Sequence, residues 1–232
     1  MKGFNLKLIV HILGLLLLFN SLFMGITTLS SYFMHDGATR GMLIAFMANL
    51  LIGGLAMGLT FNHRKEIKKR EGYLIVVFGW LTMVIFGMLP FIFTNSVSSF
   101  SDALFETMSG YTATGATIMD NIESLPKSII LWRSLTHWMG GMGIIVLAIA
   151  ILPLLGIGGM QLFSAEAPVL GGDKLHPRIS DTAKRLWLIY VGLTAVNALL
   201  LSLSGMSVFD AINHAMSTMA SGGAAAPVCH AN

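Results

Sequence analysis

Charged residues are nearly absent from 8–34, 41–61, 72–101, 134–165 and 186–209 and gather between those runs. Each run exceeds the roughly 18–20 residues a helix needs to cross hydrocarbon, so the pattern predicts five transmembrane helices. The first run follows Lys2 and Lys7, but it is longer than the apolar stretch of a signal peptide and no A-x-A-like site closes it. It reads as a retained helix. A different pattern starts at Ser99, where Ser99 and Asp102 make an S-x-x-D helix start. About three turns of helix follow, too short to span, and then a stretch of Thr, Gly and Ala with no helical continuation. A segment of this kind enters the membrane part-way and returns, which irregular backbone tolerates only where protein surrounds it or water fills the space beside it.

The segment has a copy. A shift of 108 residues aligns Ser99 with Ser207, Asp102 with Asp210, Ala103 with Ala211, Met108 with Met216, Ser109 with Ser217 and Gly115 with Gly223. Unrelated segments of this length would share roughly one residue by chance, so these six matches indicate an internal repeat. Each copy follows a long apolar run, 72–94 or 186–204, and the repeating unit reads as helix, half-helix, loop, helix. The predicted fold class is an all-α polytopic membrane protein with five transmembrane helices and two re-entrant pore half-helices.

Composition agrees: 55% of the residues are hydrophobic, 11% are charged and the mean hydropathy is +0.76, outside the range of soluble domains. Arg64, Lys65, Lys68, Lys69 and Arg70 lie between the second and third runs, and Lys174, Arg178, Lys184 and Arg185 between the fourth and fifth. The positive-inside rule places both connections and the amino terminus in the cytoplasm. It leaves 34–40, 95–127 and 206–223 outside. The net charge of +3 is then topological and implies no nucleic acid, while the single Cys229 offers neither a disulfide framework nor a metal pair.

The loop Thr112-Ala-Thr-Gly-Ala-Thr117 carries the chemistry. A dehydrated monovalent cation needs several oxygens at once, and backbone carbonyls supply them without fixed charge. Glycine permits the backbone angles that turn carbonyls toward an axis, and threonine hydroxyls add oxygens or pack behind the loop. The half-helix before the loop directs the partial negative charge of its carboxyl end inward, which favours cations. Asp120 and Glu123 either raise the local cation concentration or are solvated loop acids. His63, His137 and His214 are the only raw material for an intramembrane enzyme, and no H-E-x-x-H, G-x-S-x-G or paired acids on one apolar helix accompany them. No catalytic residue and no bound cofactor are expected.

Five stretches, the loop among them, carry a family resemblance: Arg70-Glu-Gly-Tyr-Leu-Ile-Val-Val77, Leu89-Pro-Phe-Ile-Phe93, Thr112-Ala-Thr-Gly-Ala-Thr117, His137-Trp-Met-Gly-Gly-Met-Gly-Ile-Ile-Val-Leu147 and Ile151-Leu-Pro-Leu-Leu-Gly-Ile-Gly-Gly-Met-Gln161. With them the sequence resembles the Trk/Ktr/HKT superfamily of potassium transporters, and within it the bacterial Trk-type membrane subunit. The resemblance implies a pore of four helix–pore loop–helix repeats in the cell inner membrane, preceded by two extra helices, with potassium as the substrate. It divides the chain into the extra pair and a basic loop (1–71), a first repeat (72–153), a cytoplasmic connection (154–180), an incomplete second repeat (181–223) and an atypical tail (224–232). By the same resemblance Thr112, Ala113, Thr114 and Gly115 in the first loop and Ala220, Ser221, Gly222 and Gly223 in the second are selectivity-filter residues. Thr114, Gly115, Gly222 and Gly223 are the candidate potassium ligands, and Gly222 competes with Gly223 as the second filter glycine. The implied partners are membrane lipid, a second copy in a homodimer and a cytosolic nucleotide-binding regulatory subunit, for which 154–180 is the docking candidate. After Gly223 the chain departs from the family pattern and ends, so a truncated form is expected, either part of a potassium uptake system or a non-transporting fragment that associates with an intact subunit.

Three smaller expectations concern packing. His137 reads as a hydrogen-bonded packing residue rather than a ligand, and Gly140, Gly141 and Gly143 permit close helix approach. Arg133 either snorkels or pairs with an acid such as Glu106. Ser180 and Asp181 are placed to cap the fifth helix.

Overall fold

The structure, a computed structural model, describes residues 5–61, 69–119, 121–155 and 175–221. The basic stretch 62–68, Asp120, most of the 154–180 connection, Gly222, Gly223 and the tail lie outside the described residues. The described chain is helical: α1 Leu6–Met34, α2 Thr39–Leu59, α3 Lys69–Gly87, α4 Leu89–Phe93, α5 Phe100–Tyr111, a 3-10 turn Ile122–Ser124, α6 Lys127–Leu155, α7 Leu175–Leu203 and α8 Val208–Met219. Among the described residues four stretches are long and apolar enough to cross a membrane: Leu6–Met34, Thr39–Leu59, Glu71–Phe93 and Ala183–Leu203. Large apolar side chains stand exposed along them, with Leu59 at 82%, Leu188 at 72% and Leu203 at 80%, a surface suited to lipid rather than water.

Local chemistry sets the element ends. Asn5 caps α1 by accepting from the Leu8 amide at 3.3 Å, and His35 closes it in the left-handed region. Asp36 then accepts from the Ala38 amide at 3.1 Å and turns the chain into α2. The 72–94 run breaks after Gly87 instead of forming one uninterrupted helix. The cause is Pro90, which has no amide to offer the Phe86 carbonyl four residues back. Helix α7, the last of the five predicted spans, starts at Leu175, upstream of the expected cap, so Ser180 and Asp181 lie inside it. Pro177 sits in that first turn, where a missing amide costs little.

Two sets of contacts define the ends of the bundle. At one end the Asn5 amide donates to Glu71 at 2.9 Å, and His11 Nδ1 and Thr60 Oγ1 share a hydrogen bond at 3.1 Å, which gathers the start of α1, the end of α2 and the start of α3. At the other end the Ser128 amide donates to Asp36 at 2.8 Å and ties the α1–α2 turn to the start of α6. Small residues bring α1 and α2 close: a Cβ added at Gly53 would stand 3.1 Å from the Gly14 carbonyl oxygen. The buried core runs from Met24 and Met42 through Phe91 to Trp132 and Trp138.

Candidate functional site

The two half-helices are geometric copies. Ser99 accepts from the Asp102 amide at 3.1 Å to cap α5, and Ser207 accepts from the Asp210 amide at 3.2 Å to cap α8. Both helices run 12 residues, and each ends in the same turn. The Thr112 amide donates to the Met108 carbonyl at 2.9 Å and the Ala113 amide to Gly110 at 2.9 Å. In the second copy Ala220 donates to Met216 at 3.2 Å and Ser221 to Thr218 at 3.0 Å. Ala113 and Ser221, related by the 108-residue shift, both hold positive φ, at 55° and 63°. The repeat read from six scattered identities is therefore also a repeat of backbone conformation.

Beyond that turn the first loop leaves its helix and is tied back by side chains. Thr112 Oγ1 donates to the Met108 carbonyl at 2.8 Å and lies 2.7 Å from Thr114 Oγ1. The Thr114 amide donates to the Ser109 carbonyl at 3.0 Å, and Ser109 Oγ donates to the Ala116 carbonyl at 2.6 Å, so one buried serine clamps both sides of Gly115. Gly115 holds φ +78°, a conformation that side chains rarely adopt. Among the described residues, the carbonyls of Thr112, Ala113, Thr114 and Gly115 accept no hydrogen bond. Four consecutive acceptors left open beside a helix carboxyl end form a set of oxygens available to a cation.

Past the loop, Glu106 acts as a post. It lies in α5, 1% exposed, and pairs with Arg133 of α6, which is fully buried. Of the two sequence expectations for Arg133, pairing with Glu106 is the one observed. The same carboxylate accepts from Thr117 Oγ1 at 3.1 Å and from the Ile118 amide at 3.2 Å, so the ion pair and the strand leaving the loop share one anchor. The pair also balances both charges against each other. Asp120 lies outside the described residues, and Glu123 is described only in its backbone.

Helix α6 separates the two half-helices, with adjacent glycines facing each. A Cβ at Gly140 would run into the backbone carbonyls of Gly110 and Tyr111, and one at Gly141 would stand 3.0 Å from the Ala220 Cα and 2.8 Å from the Tyr190 hydroxyl. At Gly143 the nearest atom is a Trp80 ring carbon at 3.4 Å. His137 is fully buried, with Nδ1 3.0 Å from the Arg133 carbonyl, which agrees with a packing role. Among the described residues no group of three or more His, Cys, Asp or Glu side chains is placed to hold a metal ion.

Of the residues expected in the site, Thr112, Ala113, Thr114 and Gly115 share one loop, and Ala220 and Ser221 occupy the matching turn of the second copy. Gly222 and Gly223 lie outside the described residues. Sequence reading gave Ser109 only as an identity of the repeat, without its clamping role, and missed Asn20 and Asn49. Tyr111 Oη donates to Asn20 Oδ1 at 2.7 Å, and Asn20 Nδ2 donates to Asn49 Oδ1 at 3.1 Å. The available signal was two asparagines inside apolar runs, where polar groups must find partners.

A family model described as TrkH, cation transport protein, matches residues 39–225. The Trk system potassium uptake protein TrkH of Escherichia coli (strain K12) is 47% identical over 221 residues, 94% of this chain and 46% of that protein. The Trk system potassium uptake protein TrkG of the same organism is 36% identical over 225 residues, again 46% of its length. The crystal structure of the potassium transporter TrkH from Vibrio parahaemolyticus superposes with a TM-score of 0.80 at 41% identity, covering 93% of this chain and 43% of that one. The chain thus spans a little under half the length of the relatives it matches.

Proposed function

The chain belongs to the TrkH cation transport protein family, and from that membership and the loop geometry we propose that it forms part of the pore of a Trk-type potassium uptake system. The observation that carries this reading is the row of unbonded carbonyls from Thr112 to Gly115, held open by Ser109 and Glu106. In this reading potassium is the substrate, no resident cofactor takes part, and Thr114 and Gly115 are its ligands in the first loop. Ala220, Ser221, Gly222 and Gly223 are the second-loop counterparts, with Gly222 or Gly223 as the ligand glycine. A ring assembled from such loops replaces the hydration shell of the ion with neutral dipoles, binding it firmly enough to enter and weakly enough to leave.

The chain crosses the cell inner membrane five times, with α6 as the fifth span beside the four apolar ones, and α5 and α8 are re-entrant. The amino terminus, the basic 62–71 stretch and the 154–180 connection face the cytoplasm. There 154–180 is the docking segment for a cytosolic nucleotide-binding regulatory subunit, and a second copy pairs with the assembled pore to form a dimer.

The test is growth of an Escherichia coli strain without potassium uptake systems of its own. It would express the chain alone, or the chain joined in frame to the remaining half of the Escherichia coli TrkH protein. The joined form restores growth at limiting potassium, and Gly115→Ser in it lowers the preference for potassium over sodium, because a side chain intrudes on the carbonyl ring. A joined protein that reaches the membrane and restores no growth overturns the potassium assignment. Unchanged ion ratios after Gly115→Ser overturn the filter assignment. Growth with the chain alone shows that these 232 residues suffice.

A further inference from the structure

The polar chain that starts at Tyr111 crosses three elements and ends on a fourth. Tyr111 is the last residue of α5, directly before the loop, and it is 1% exposed. Its hydroxyl donates to Asn20 Oδ1 of α1 at 2.7 Å. Asn20 Nδ2 donates to Asn49 Oδ1 of α2 at 3.1 Å, and Asn49 Nδ2 donates to the carbonyls of Ala45 at 3.0 Å and Phe86 at 3.3 Å. Both asparagines are fully buried.

The Phe86 carbonyl is the one that Pro90 deprives of its helical donor, so Asn49 satisfies a vacancy created by the break in α3. Trp132 Nε1 holds the next carbonyl, Gly87, at 2.9 Å. Gly87 also makes the room Tyr111 occupies, since a Cβ there would stand 2.6 Å from Tyr111 Cε2 and 2.9 Å from its hydroxyl oxygen. The break in α3 thus forms a socket for the end of α5, and the two leading helices close it.

Apolar packing alone would not require this arrangement. Two buried amides and a buried hydroxyl are costly unless paired, and each donor here meets an acceptor in only one relative placement of the four helices. We infer that Asn20 and Asn49 are positioning residues for the proposed filter, holding Tyr111 and through it the carboxyl end of α5 where the loop carbonyls begin. This gives α1 and α2 a role in ion selection, although neither carries a loop residue. The inference rests on the filter reading for its functional consequence, while its mechanical part stands on the hydrogen bonds alone.

Two measurements test it. The first is amide hydrogen exchange of the 232-residue chain in lipid nanodiscs, with Tyr111→Phe, Asn20→Leu and their combination. Exchange over 112–118 rises about fivefold in each single variant, while peptides within 8–19 and 128–139 keep their protection. The combination exchanges no faster than either single variant, since both break the same link. Unchanged exchange over 112–118, or the same acceleration in every helix, overturns the inference.

The second is the ratio of potassium to sodium uptake by the joined form. Asn20→Leu and Tyr111→Phe lower it at unchanged protein level in the membrane, and the effect of either is absorbed in the presence of the other. If the ratio stays constant in these variants while Gly115→Ser shifts it, the asparagines are structural only and the positioning role is wrong. If Gly115→Ser leaves the ratio constant as well, the filter reading falls, and the exchange data alone decide whether Asn20 and Asn49 hold the loop.

Discussion

Glu106 does three things with one carboxylate. It balances Arg133, accepts from the Thr117 hydroxyl and accepts from the Ile118 amide. Removing one member of a buried pair leaves a charge without its counter-ion, which typically costs about 3–5 kcal/mol, whereas removing both is often near neutral. Glu106→Gln and Arg133→Met are therefore each expected to destabilise the chain by about 3 kcal/mol or more in detergent unfolding, and the double variant to recover most of the loss. Simple addition of the two losses would show that the residues do not act as a pair. The Gln variant keeps an acceptor for Thr117 and Ile118, so the comparison isolates the charge from the loop anchor. The sequence placed Arg133 and Glu106 within reach only as one of two options. Residues 27 apart on different helices meet or miss according to helix packing, and no local pattern encodes that.

Among the elements, α6 fixes the spacing of the two half-helices by what its glycines lack. Gly140 admits the backbone of Gly110 and Tyr111, and Gly141 admits Ala220. A methyl group at position 140 meets carbonyl groups that cannot swing aside, while Gly54 of α2 has nothing within 4 Å. Gly140→Ala is expected to destabilise by about 1–3 kcal/mol through overpacking. Gly54→Ala is expected to be neutral or stabilising by up to about 1 kcal/mol through helix propensity. Thermal unfolding of both proteins checks the pair, and equal effects would show that the α5–α6 contact does not depend on the missing side chain at Gly140. The half-helices themselves were readable because their signals are local: the Ser-x-x-Asp cap, a short apolar run, a glycine at the end. The break in α3 was half readable. Pro90 announces a helix end, but the use of that end as a socket for Tyr111 depends on Asn20 and Asn49, which sequence shows only as polar residues in apolar surroundings.

At the scale of the whole molecule, the leading pair of helices is fastened to the first repeat at three levels: Asn5 to Glu71 at one end, Asn20 to Tyr111 and Asn49 to Phe86 in the middle, and Asp36 to Ser128 at the other. The apolar runs foretold that these helices exist and cross the membrane. They could not foretell the fastening, because each tie joins residues far apart in the chain. Asp36 is the tie that pH can open. Burial works to raise its carboxyl, but hydrogen bonds from Ser128, Ser31 and the Ala38 amide outweigh that and hold it below the usual carboxylate range. A carboxylate whose folded value is depressed adds stability that is fully present above its unfolded value, about 3.9, and is lost as pH falls through the lower folded value. The tie is thus constant from pH 5 to 8 and fades below about pH 4. Asp36→Asn cannot accept from Ser128, Ser31 and Ala38 together, so at pH 7 it is expected to be less stable by about 1 kcal/mol, a figure kept small because the group is partly solvated. Melting both proteins in detergent between pH 3 and pH 7 gives the result directly. The gap between them narrows as pH falls below about 4, because the native carboxyl gives up its advantage as it takes up a proton. A gap that persists undiminished at pH 3 would mean that the neutral shape of Asp36, and not its charge, holds the leading helices to α6.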